Sequence, residues 1–144
     1  MDMRKVQMTF FATIVLTLLL AYDVEPLVFT KCGLTRYLLN NGFDRSLIGN
    51  WICLVESESS KNTSRITEKA DRSKSLGLFQ INDKLWCKWK TPGGRCEMKC
   101  ETFIDDDIQD DSMCAKKVQK EMGFRYWEGW MRSCYRRHLP IPPC

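Results

Sequence analysis

The segment WICLVESES, residues 51–59, and the segment GLFQINDKLWC, residues 77–87, decide the fold of this chain. The first belongs to a pattern in which apolar side chains recur at intervals of three and four: Leu47, Ile48, Trp51, Ile52 and Val55. This spacing predicts a helix with one buried face. Glu58 follows Val55 by three residues, so it is predicted at the end of that face, partly shielded from water.

The chain between and within the two segments predicts a small antiparallel sheet. Residues 61–75 are mostly polar and lose the helical period. Thr63, Ile66 and Thr67 favour a strand, residues 69–72 favour a turn, and residues 78–81 predict a second strand.

Three further helices are predicted from apolar side chains at helical spacing. The first carries Leu34, Tyr37 and Leu38 and ends at Gly42; the next begins at Asp110, carries Cys114, Ala115, Val118 and Met122, and ends at Gly123; the last carries Trp127, Trp130, Met131 and Cys134. These elements predict an α+β fold class, with a helical lobe, a small sheet lobe and a cleft between them. In that cleft Glu58 faces the hairpin that bears Ser75.

The first 21 residues have the features of a secretory signal peptide. Arg4 and Lys5 supply its positive end, and residues 10–21 form an apolar run shorter than the roughly 20 residues that span a bilayer. Removing residues 1–21 leaves a predicted domain, residues 22–144, with 20 basic and 17 acidic side chains. A net charge of +3 predicts no nucleic-acid binding. We expect a secreted, extracellular monomer without stable membrane insertion.

Eight cysteines in a secreted chain of this length predict four disulfides. Their spacing alone leaves about 105 pairings open. A zinc site is disfavoured, because the sequence has no Cys-x-x-Cys pair and its only histidine is His138, which we expect to be solvated.

The chain resembles the animal c-type lysozymes and α-lactalbumins in a set of short motifs: Trp51-Ile52-Cys53, Glu58-Ser59, Asn62-Thr63, Gly77-Leu78-Phe79-Gln80-Ile81-Asn82 and Trp86-Cys87. The likeness covers residues 28–144 and includes the spacing of all eight cysteines. It implies a c-type lysozyme-like fold with four disulfide pairs: Cys32–Cys144, Cys53–Cys134, Cys87–Cys100 and Cys96–Cys114.

The resemblance also implies cleavage of a glycosidic bond. Glu58 would be the acid that protonates the leaving oxygen, with the indole of Trp127 against it. Ser75 stands where active members carry the nucleophilic aspartate, and a neutral hydroxyl cannot balance a developing cation. We therefore expect reduced activity with water as the nucleophile. Asp71 or Glu68 on the same hairpin is an alternative source of a base.

Six residues match family positions that hold the saccharide: Gln80, Asn82, Trp86, Glu121, Tyr126 through its backbone, and Trp127. Trp86 would offer an indole face and a donor, and Glu121 a hydrogen-bonding carboxylate. Leu85 replaces a usual aromatic, so one stacking platform is lost and affinity should fall. The alternative for each position is an ordinary core aromatic or surface polar group.

An acidic segment, residues 102–111, resembles the calcium loop of α-lactalbumin and of the calcium-binding lysozymes. The resemblance implies carboxylate ligands from Asp105, Asp110 and Asp111, and backbone carbonyl ligands from Thr102 and Asp107. So many crowded carboxylates repel one another, and a structural Ca²⁺ relieves this repulsion. The alternative is a solvated acidic helix start.

The resulting hypothesis is a secreted glycoside hydrolase that cleaves β-1,4 bonds of bacterial peptidoglycan in antibacterial, bacteriolytic defence or in digestion. A chitin-like substrate stays open. The alternative is a non-catalytic saccharide-binding or regulatory protein in the manner of α-lactalbumin. Membrane disruption through Lys116-Lys117 and Arg136-Arg137 is disfavoured, because the net charge is small. Asn62-Thr63-Ser64 is a glycosylation pattern beside the predicted cleft, and we expect it to be unused.

Overall fold

The computed structural model describes residue 4 and residues 25–144, so the predicted signal peptide, residues 1–21, lies outside the described residues apart from Arg4. In this part of the chain there are four α-helices: α1 (Lys31–Asn40), α2 (Ile48–Ser59), α3 (Gln109–Met122) and α4 (Glu128–Ser133). Short 3-10 helices lie at Arg45–Leu47, Cys100–Ile104 and Phe124–Tyr126. Within the described residues, no helix has both the length and the apolar character that crossing a membrane requires.

The predicted apolar stripe of α2 lies at the centre of the core. Four of its five predicted members, Ile48, Trp51, Ile52 and Val55, are at most 2% exposed, which confirms the helical spacing; the fifth, Leu47, lies in the preceding 3-10 helix and is partly buried. Four aromatic rings surround the indole of Trp51 at centroid distances of 4.8–5.8 Å: Phe43, Phe79, Phe124 and Trp127. Because Phe79 comes from the sheet lobe and Trp127 lies just before α4, this cluster holds the two lobes together.

The sheet lobe contains a three-stranded antiparallel sheet in the order β1-β2-β3, with β1 at Ile66–Glu68, β2 at Lys74–Leu76 and β3 at Ile81–Asn82. Ser75, in the middle of β2, lies opposite Thr67 on one side and Asn82 on the other. Two shorter strands, β4 (Cys87–Lys88) and β5 (Met98–Lys99), form a separate parallel pair.

The predicted strand at residues 78–81 is wrong. Residues 77–80 form the turn between β2 and β3, and only Ile81 belongs to a strand. Gly77 (φ 69°) and Gln80 (φ 49°) have left-handed backbone conformations that end the strand. Leu78 and Phe79 are apolar because their side chains fill the core, at 0% exposure, and not because they alternate across a sheet. A Cβ on Gly77 would lie 1.7 Å from the carbonyl oxygen of Phe103, so only glycine fits there.

The helices predicted after the sheet lobe are confirmed, with two exceptions in their buried faces. Cys114, Ala115 and Val118 of α3 are buried as expected, and Gly123 ends the helix with φ 71°. Met122 is 46% exposed because it lies in the last turn of α3, and Met131 is 38% exposed on the outer side of α4.

The described residues contain four disulfides and no free cysteine. The pairs are those implied by the resemblance: Cys32–Cys144, Cys53–Cys134, Cys87–Cys100 and Cys96–Cys114. The first two join residues 112 and 81 positions apart, and closing loops of that length removes the most entropy from the unfolded chain. The α+β architecture with two lobes and four disulfides is thus confirmed.

Candidate active site

The two lobes face each other across a cleft of about 500 Å³. The helical lobe lines it with four residues: Glu58, Tyr126, Trp127 and Glu128. The sheet lobe lines it with seven: Lys69, Ala70, Asp71, Ser73, Ser75, Gln80 and Asn82. The cleft lining therefore includes every predicted catalytic and saccharide-binding residue except Trp86, Glu121 and the alternative base Glu68.

Glu58 is one of three acidic residues that line the cleft, with Asp71 and Glu128, and its carboxylate is held by a backbone N–H. It lies in the last turn of α2, half-buried, where its Oε1 accepts a hydrogen bond of 2.5 Å from the N–H of Gly129 in α4. A Cβ on Gly129 would lie 2.7 Å from that oxygen, so the glycine allows the close approach. The packing of α4 against α2 thus fixes the position of the carboxyl group.

Trp127 stands at the base of the same wall. Its side chain is 2% exposed, and its indole N–H donates a 2.7 Å hydrogen bond to the carbonyl oxygen of Phe79. Since Phe79 belongs to the turn between β2 and β3, this bond fixes the indole between the lobes and sets the width of the cleft at its floor.

Ser75 faces Glu58 from the sheet wall. It is 4% exposed, lies in β2 and lines the cleft. Its hydroxyl is neutral at pH 7 and carries no charge to offset a developing positive centre. The sheet wall therefore has no carboxylate at this position.

Asp71 supplies a carboxylate elsewhere on the sheet wall. Its Oδ1 accepts hydrogen bonds from the hydroxyl (2.6 Å) and the N–H (3.1 Å) of Ser73, and its Oδ2 pairs with the Nζ of Lys84 at 3.0 Å. These bonds, the Ser73 hydroxyl foremost, hold the pKa of Asp71 well below its usual range. Glu68, the other candidate, lies in β1 opposite Lys74 and is not part of the cleft lining.

Two predicted saccharide contacts are built into this wall. The amide of Asn82 donates to the hydroxyl of Ser73 (2.9 Å), and its Oδ1 accepts from the N–H of Lys84 (3.0 Å). Gln80 is 3% exposed, and its amide donates to the carbonyl oxygens of Arg65 and Gly77. Asn82 is thus a positioned polar group in the cleft, whereas the amide N–H groups of Gln80 hold the turn together.

Trp86 and Glu121 lie beyond one end of the cleft and are engaged by the chain itself. Trp86 is fully buried, and its indole N–H donates to the hydroxyl of Tyr126 (2.8 Å). The guanidinium of Arg95 lies 5.2 Å from the centre of the Trp86 ring and pairs with the carboxylate of Glu121 at 2.5 Å. The indole face that was predicted to be open is therefore buried, and the Arg95 side chain lies over it. Leu85 is exposed.

A second ion pair, missed by sequence reasoning, crosses the cleft. The Nζ of Lys69 on the sheet wall lies 3.4 Å from a carboxylate oxygen of Glu128 on the helical wall. Neither residue belongs to a recognisable motif. They meet because the fold places them on opposite walls of the cleft, so no sequence pattern predicts this ion pair.

The acidic segment packs behind the sheet wall. Asp111 is fully buried, and neither of its carboxylate oxygens has a hydrogen-bond partner. Burial, with the nearby charge of Asp110, raises the pKa of Asp111 to about 9. A Cβ on Gly77 would lie 2.8 Å from Asp111 Oδ1, so this carboxylate abuts the turn between β2 and β3.

The predicted calcium ligands are close in sequence but do not form a finished cage. Across residues 25–144, no three carboxylate, imidazole or thiolate groups converge as a metal site. The carboxylate of Asp105 accepts from the N–H of Asp107 (2.9 Å), and burial raises the pKa of Asp105. The buried carboxylate of Asp111, with no partner of its own, is the feature that fits a cation.

Asp106 has a different role that the sequence did not reveal. Its Oδ1 accepts hydrogen bonds from the hydroxyl of Thr63 (2.6 Å) and the N–H of Leu27 (3.1 Å). The acidic segment is thereby tied to the start of the described chain and to the segment that enters the sheet lobe.

Comparison with known proteins agrees with this geometry. The model of the C-type lysozyme/alpha-lactalbumin family matches residues 27–142. A lysozyme of Bombyx mori is 44% identical over 121 residues, covering 83% of this chain and 88% of that protein; a lysozyme of Antheraea mylitta is 44% identical over 118 residues, covering 81% and 98%. The crystal structure of canine milk lysozyme superposes with a TM-score of 0.72 at 36% identity, covering 78% of this chain and 93% of that one. The chain belongs to the C-type lysozyme/alpha-lactalbumin family.

Proposed function

We propose that this chain is a secreted glycoside hydrolase that cleaves β-1,4 bonds of bacterial peptidoglycan, with Glu58 as general acid and at a reduced rate. The observation that carries the proposal is the carboxylate of Glu58, fixed by the N–H of Gly129 in a cleft between two lobes. Four disulfides support secretion, since such bonds persist in oxidising compartments.

The proposed reaction divides its work between the two walls. Glu58 gives its proton to the glycosidic oxygen as the bond to the leaving sugar breaks, a water molecule adds to the sugar carbon, and the proton that this water loses returns through solvent to the Glu58 carboxylate. Ser75 cannot form the glycosyl ester that a carboxylate forms, so no covalent intermediate is expected there. Asp71, ionised by its bonds to Ser73 and Lys84, is the negative group of the sheet wall that supports the positive centre.

The low pKa of Asp71 decides which role suits it. A carboxylate that is held ionised is a weak proton acceptor, because its hydrogen bonds favour the charged form. We therefore assign Asp71 an electrostatic role and leave the attacking water without a strong base. General acid assistance alone is typically worth about 10²- to 10⁴-fold, which leaves measurable turnover.

A second function, saccharide binding without turnover, is favoured by one observation. Ser75 removes the charge at the centre of the sheet wall but leaves Asn82, Ser73 and Tyr126 lining the cleft. Such a cleft keeps the polar groups that bind a saccharide but lacks the carboxylate that supports hydrolysis. Both functions use the same substrate class, and only a turnover measurement separates them.

The decisive experiment measures the release of soluble fragments from purified Gram-positive peptidoglycan by the refolded, disulfide-intact protein. Wild type is run beside Glu58→Gln and Ser75→Asp, each with its melting temperature recorded to establish folding. Lysis by wild type that is lost in Glu58→Gln supports the hydrolase. No lysis by wild type, with lysis gained in Ser75→Asp, contradicts it and supports the binding function.

A structural calcium ion is a further part of the proposal. It would be held by carboxylates of Asp105, Asp110 and Asp111 and by backbone carbonyls of Thr102 and Asp107, which suit the oxygen preference of Ca²⁺. The support from the molecule is the buried Asp111 carboxylate, which has no hydrogen-bond partner. A divalent cation would neutralise that carboxylate and join the acidic segment to the back of the sheet wall.

A further inference from the structure

We propose that Arg95 is a specificity-determining residue that closes one end of the cleft, so that only saccharides able to displace its side chain reach Trp86. The inference rests on the proposed saccharide-binding cleft and deepens it. According to this proposal, Arg95, which lies outside the cleft lining, determines the length of the saccharide that the cleft binds.

Trp86 directly contacts a residue of the cleft lining. Tyr126 lines the cleft, and its hydroxyl accepts the indole N–H of Trp86. The two rings meet edge to face with centroids 5.9 Å apart. A large aromatic side chain therefore lies directly beside the cleft, and it would extend the binding surface if one face of its ring were uncovered.

The side chain of Arg95 lies over one face of this ring. Its guanidinium lies 5.2 Å from the centre of the Trp86 ring and pairs with Glu121 of α3. Arg95 lies in the loop between β4 and β5, so the ion pair joins the sheet lobe to the helical lobe. It occupies both groups that a sugar would use at this end, the indole face and the carboxylate.

The backbone of Arg95 is anchored by two hydrogen bonds, whereas its side chain is half-exposed. The N–H of Arg95 donates to the carbonyl oxygen of Leu85 (2.9 Å), and its carbonyl oxygen accepts from the Nζ of Lys117 (2.5 Å). The side chain itself is 47% exposed. Opening therefore needs a rotation of one exposed side chain and no rearrangement of the loop.

The interactions that hold Arg95 in place are weak enough for a ligand to replace. Half-exposed ion pairs and exposed cation–π contacts each change an equilibrium by only a few fold. Removing the covering should thus raise the affinity for a ligand that uses Trp86 by about fivefold, and leave a ligand that ends before Tyr126 unaffected. Because the ion pair is screened by salt, high ionic strength should reduce the difference.

The test compares wild type with Arg95→Ala, Arg95→Lys and Glu121→Gln. Lys31→Ala is the control, since it also removes one exposed cation with an acidic partner, Glu56, but lies in α1. Isothermal titration calorimetry with the disaccharide and the hexasaccharide of β-1,4-linked N-acetylglucosamine gives the ratio of the two affinities. Melting curves establish that each variant is folded.

A second measurement needs no saccharide. Hydroxyl-radical footprinting at pH 7, read by mass spectrometry, reports the oxidation of Trp86, with the exposed Trp89 as an internal reference. Trypsin cleaves after Lys84 and Lys88, so the two tryptophans fall in different peptides.

The proposal expects Trp86 to be protected in wild type and Lys31→Ala, oxidised in Arg95→Ala, and intermediate in Arg95→Lys and Glu121→Gln. It expects the hexasaccharide-to-disaccharide affinity ratio to rise about fivefold in Arg95→Ala. Equal Trp86 oxidation in wild type and Arg95→Ala overturns the closure, and so does an unchanged affinity ratio. If no variant binds either saccharide, the proposed function fails, while the footprint still decides whether Arg95 covers Trp86.

Discussion

The two walls of the cleft hold their functional groups by different means. On the helical wall, Glu58 is fixed by a backbone N–H and Trp127 by a backbone carbonyl, so packing between α2, α4 and the β2–β3 turn determines their positions. On the sheet wall, Asp71 is held by the side chains of Ser73 and Lys84, and Ser75 carries no charge. The functional groups of the helical wall are therefore positioned by backbone atoms, which substitutions leave in place. Asp71 on the sheet wall is positioned by side chains, which a single substitution can remove.

The largest effect should come from removing the one acid that the helical wall supplies. Glu58→Gln keeps the shape and deletes the transferable proton, so hydrolysis should fall by about 10²- to 10⁴-fold. Fragment release from peptidoglycan measures it, with the melting temperature as the control for folding. A rate within threefold of wild type would mean that the helical wall is not the catalytic one.

A carboxylate at position 75 of the sheet wall should raise the rate of hydrolysis. Ser75→Asp places a carboxylate opposite Thr67 and Asn82, where positive charge develops, and should raise the rate by about 10²-fold. Ser75→Asn is the matched control, because it has nearly the same shape without the charge. Equal rates for Asp and Asn at this position would show that charge is not what the sheet wall lacks.

Calcium should stabilise the region behind the sheet wall. Saturating Ca²⁺, at about 100 times its dissociation constant, should add roughly 2.7 kcal/mol to the free energy of unfolding and raise the melting temperature by about 10 °C. Calorimetry with Ca²⁺ or with a chelator measures the shift. Asp111→Asn should abolish it, whereas Asp44→Asn, at the start of the Arg45–Leu47 helix, should not. A melting temperature that ignores Ca²⁺ would contradict the calcium proposal.

Moving the Glu58 carboxyl group without removing it should have a smaller effect on the rate than replacing it. Gly129→Ala puts a methyl group 2.7 Å from Glu58 Oε1, so the carboxyl group must shift while its proton remains. Displacing a catalytic group in this way should lower the rate by about tenfold with little change in the affinity for saccharide. A fall in affinity without a fall in rate would contradict the idea that backbone packing positions the acid.

The smallest effect should come from removing a hydrogen bond that holds the Asp71 carboxylate. Ser73→Ala removes its strongest hydrogen bond, so its pKa should rise toward the ordinary 3.8, which NMR titration of the carboxyl carbon measures. A depressed folded-state pKa contributes stability above pH 3.8 that is lost as the pH falls toward the folded pKa. The variant should therefore lose less stability than wild type on acidification, and an unchanged titration would refute the hydrogen-bond assignment.

The sequence predicted best where one periodicity or motif determines the structure. The stripe of α2 follows from Ile48, Trp51 and Val55, because spacing alone selects the buried face. The prediction of a strand at residues 78–81 was wrong because Leu78 and Phe79 fill the core from a turn. Apolar content alone does not distinguish a buried strand from a buried turn.

In the cleft, too, the residues that belong to motifs were predicted and the long-range ion pairs were not. Glu58 and Ser75 stand at recognisable positions, so their place in the cleft was expected. The pairs Arg95–Glu121 and Lys69–Glu128 join residues 26 and 59 positions apart, and only the folded arrangement of the lobes brings them together.

The separations of the disulfide partners have a consequence for synthesis. The chain emerges from its amino end, so Cys53 waits for 81 further residues before Cys134 exists, roughly 4 to 16 s at common rates of translation. Cys87, Cys96, Cys100 and Cys114 emerge during that interval and can compete for its thiolate. Any non-native pair formed in that interval has to be exchanged before Cys53 can join Cys134, so we expect a thiol–disulfide isomerase to raise the yield of native protein.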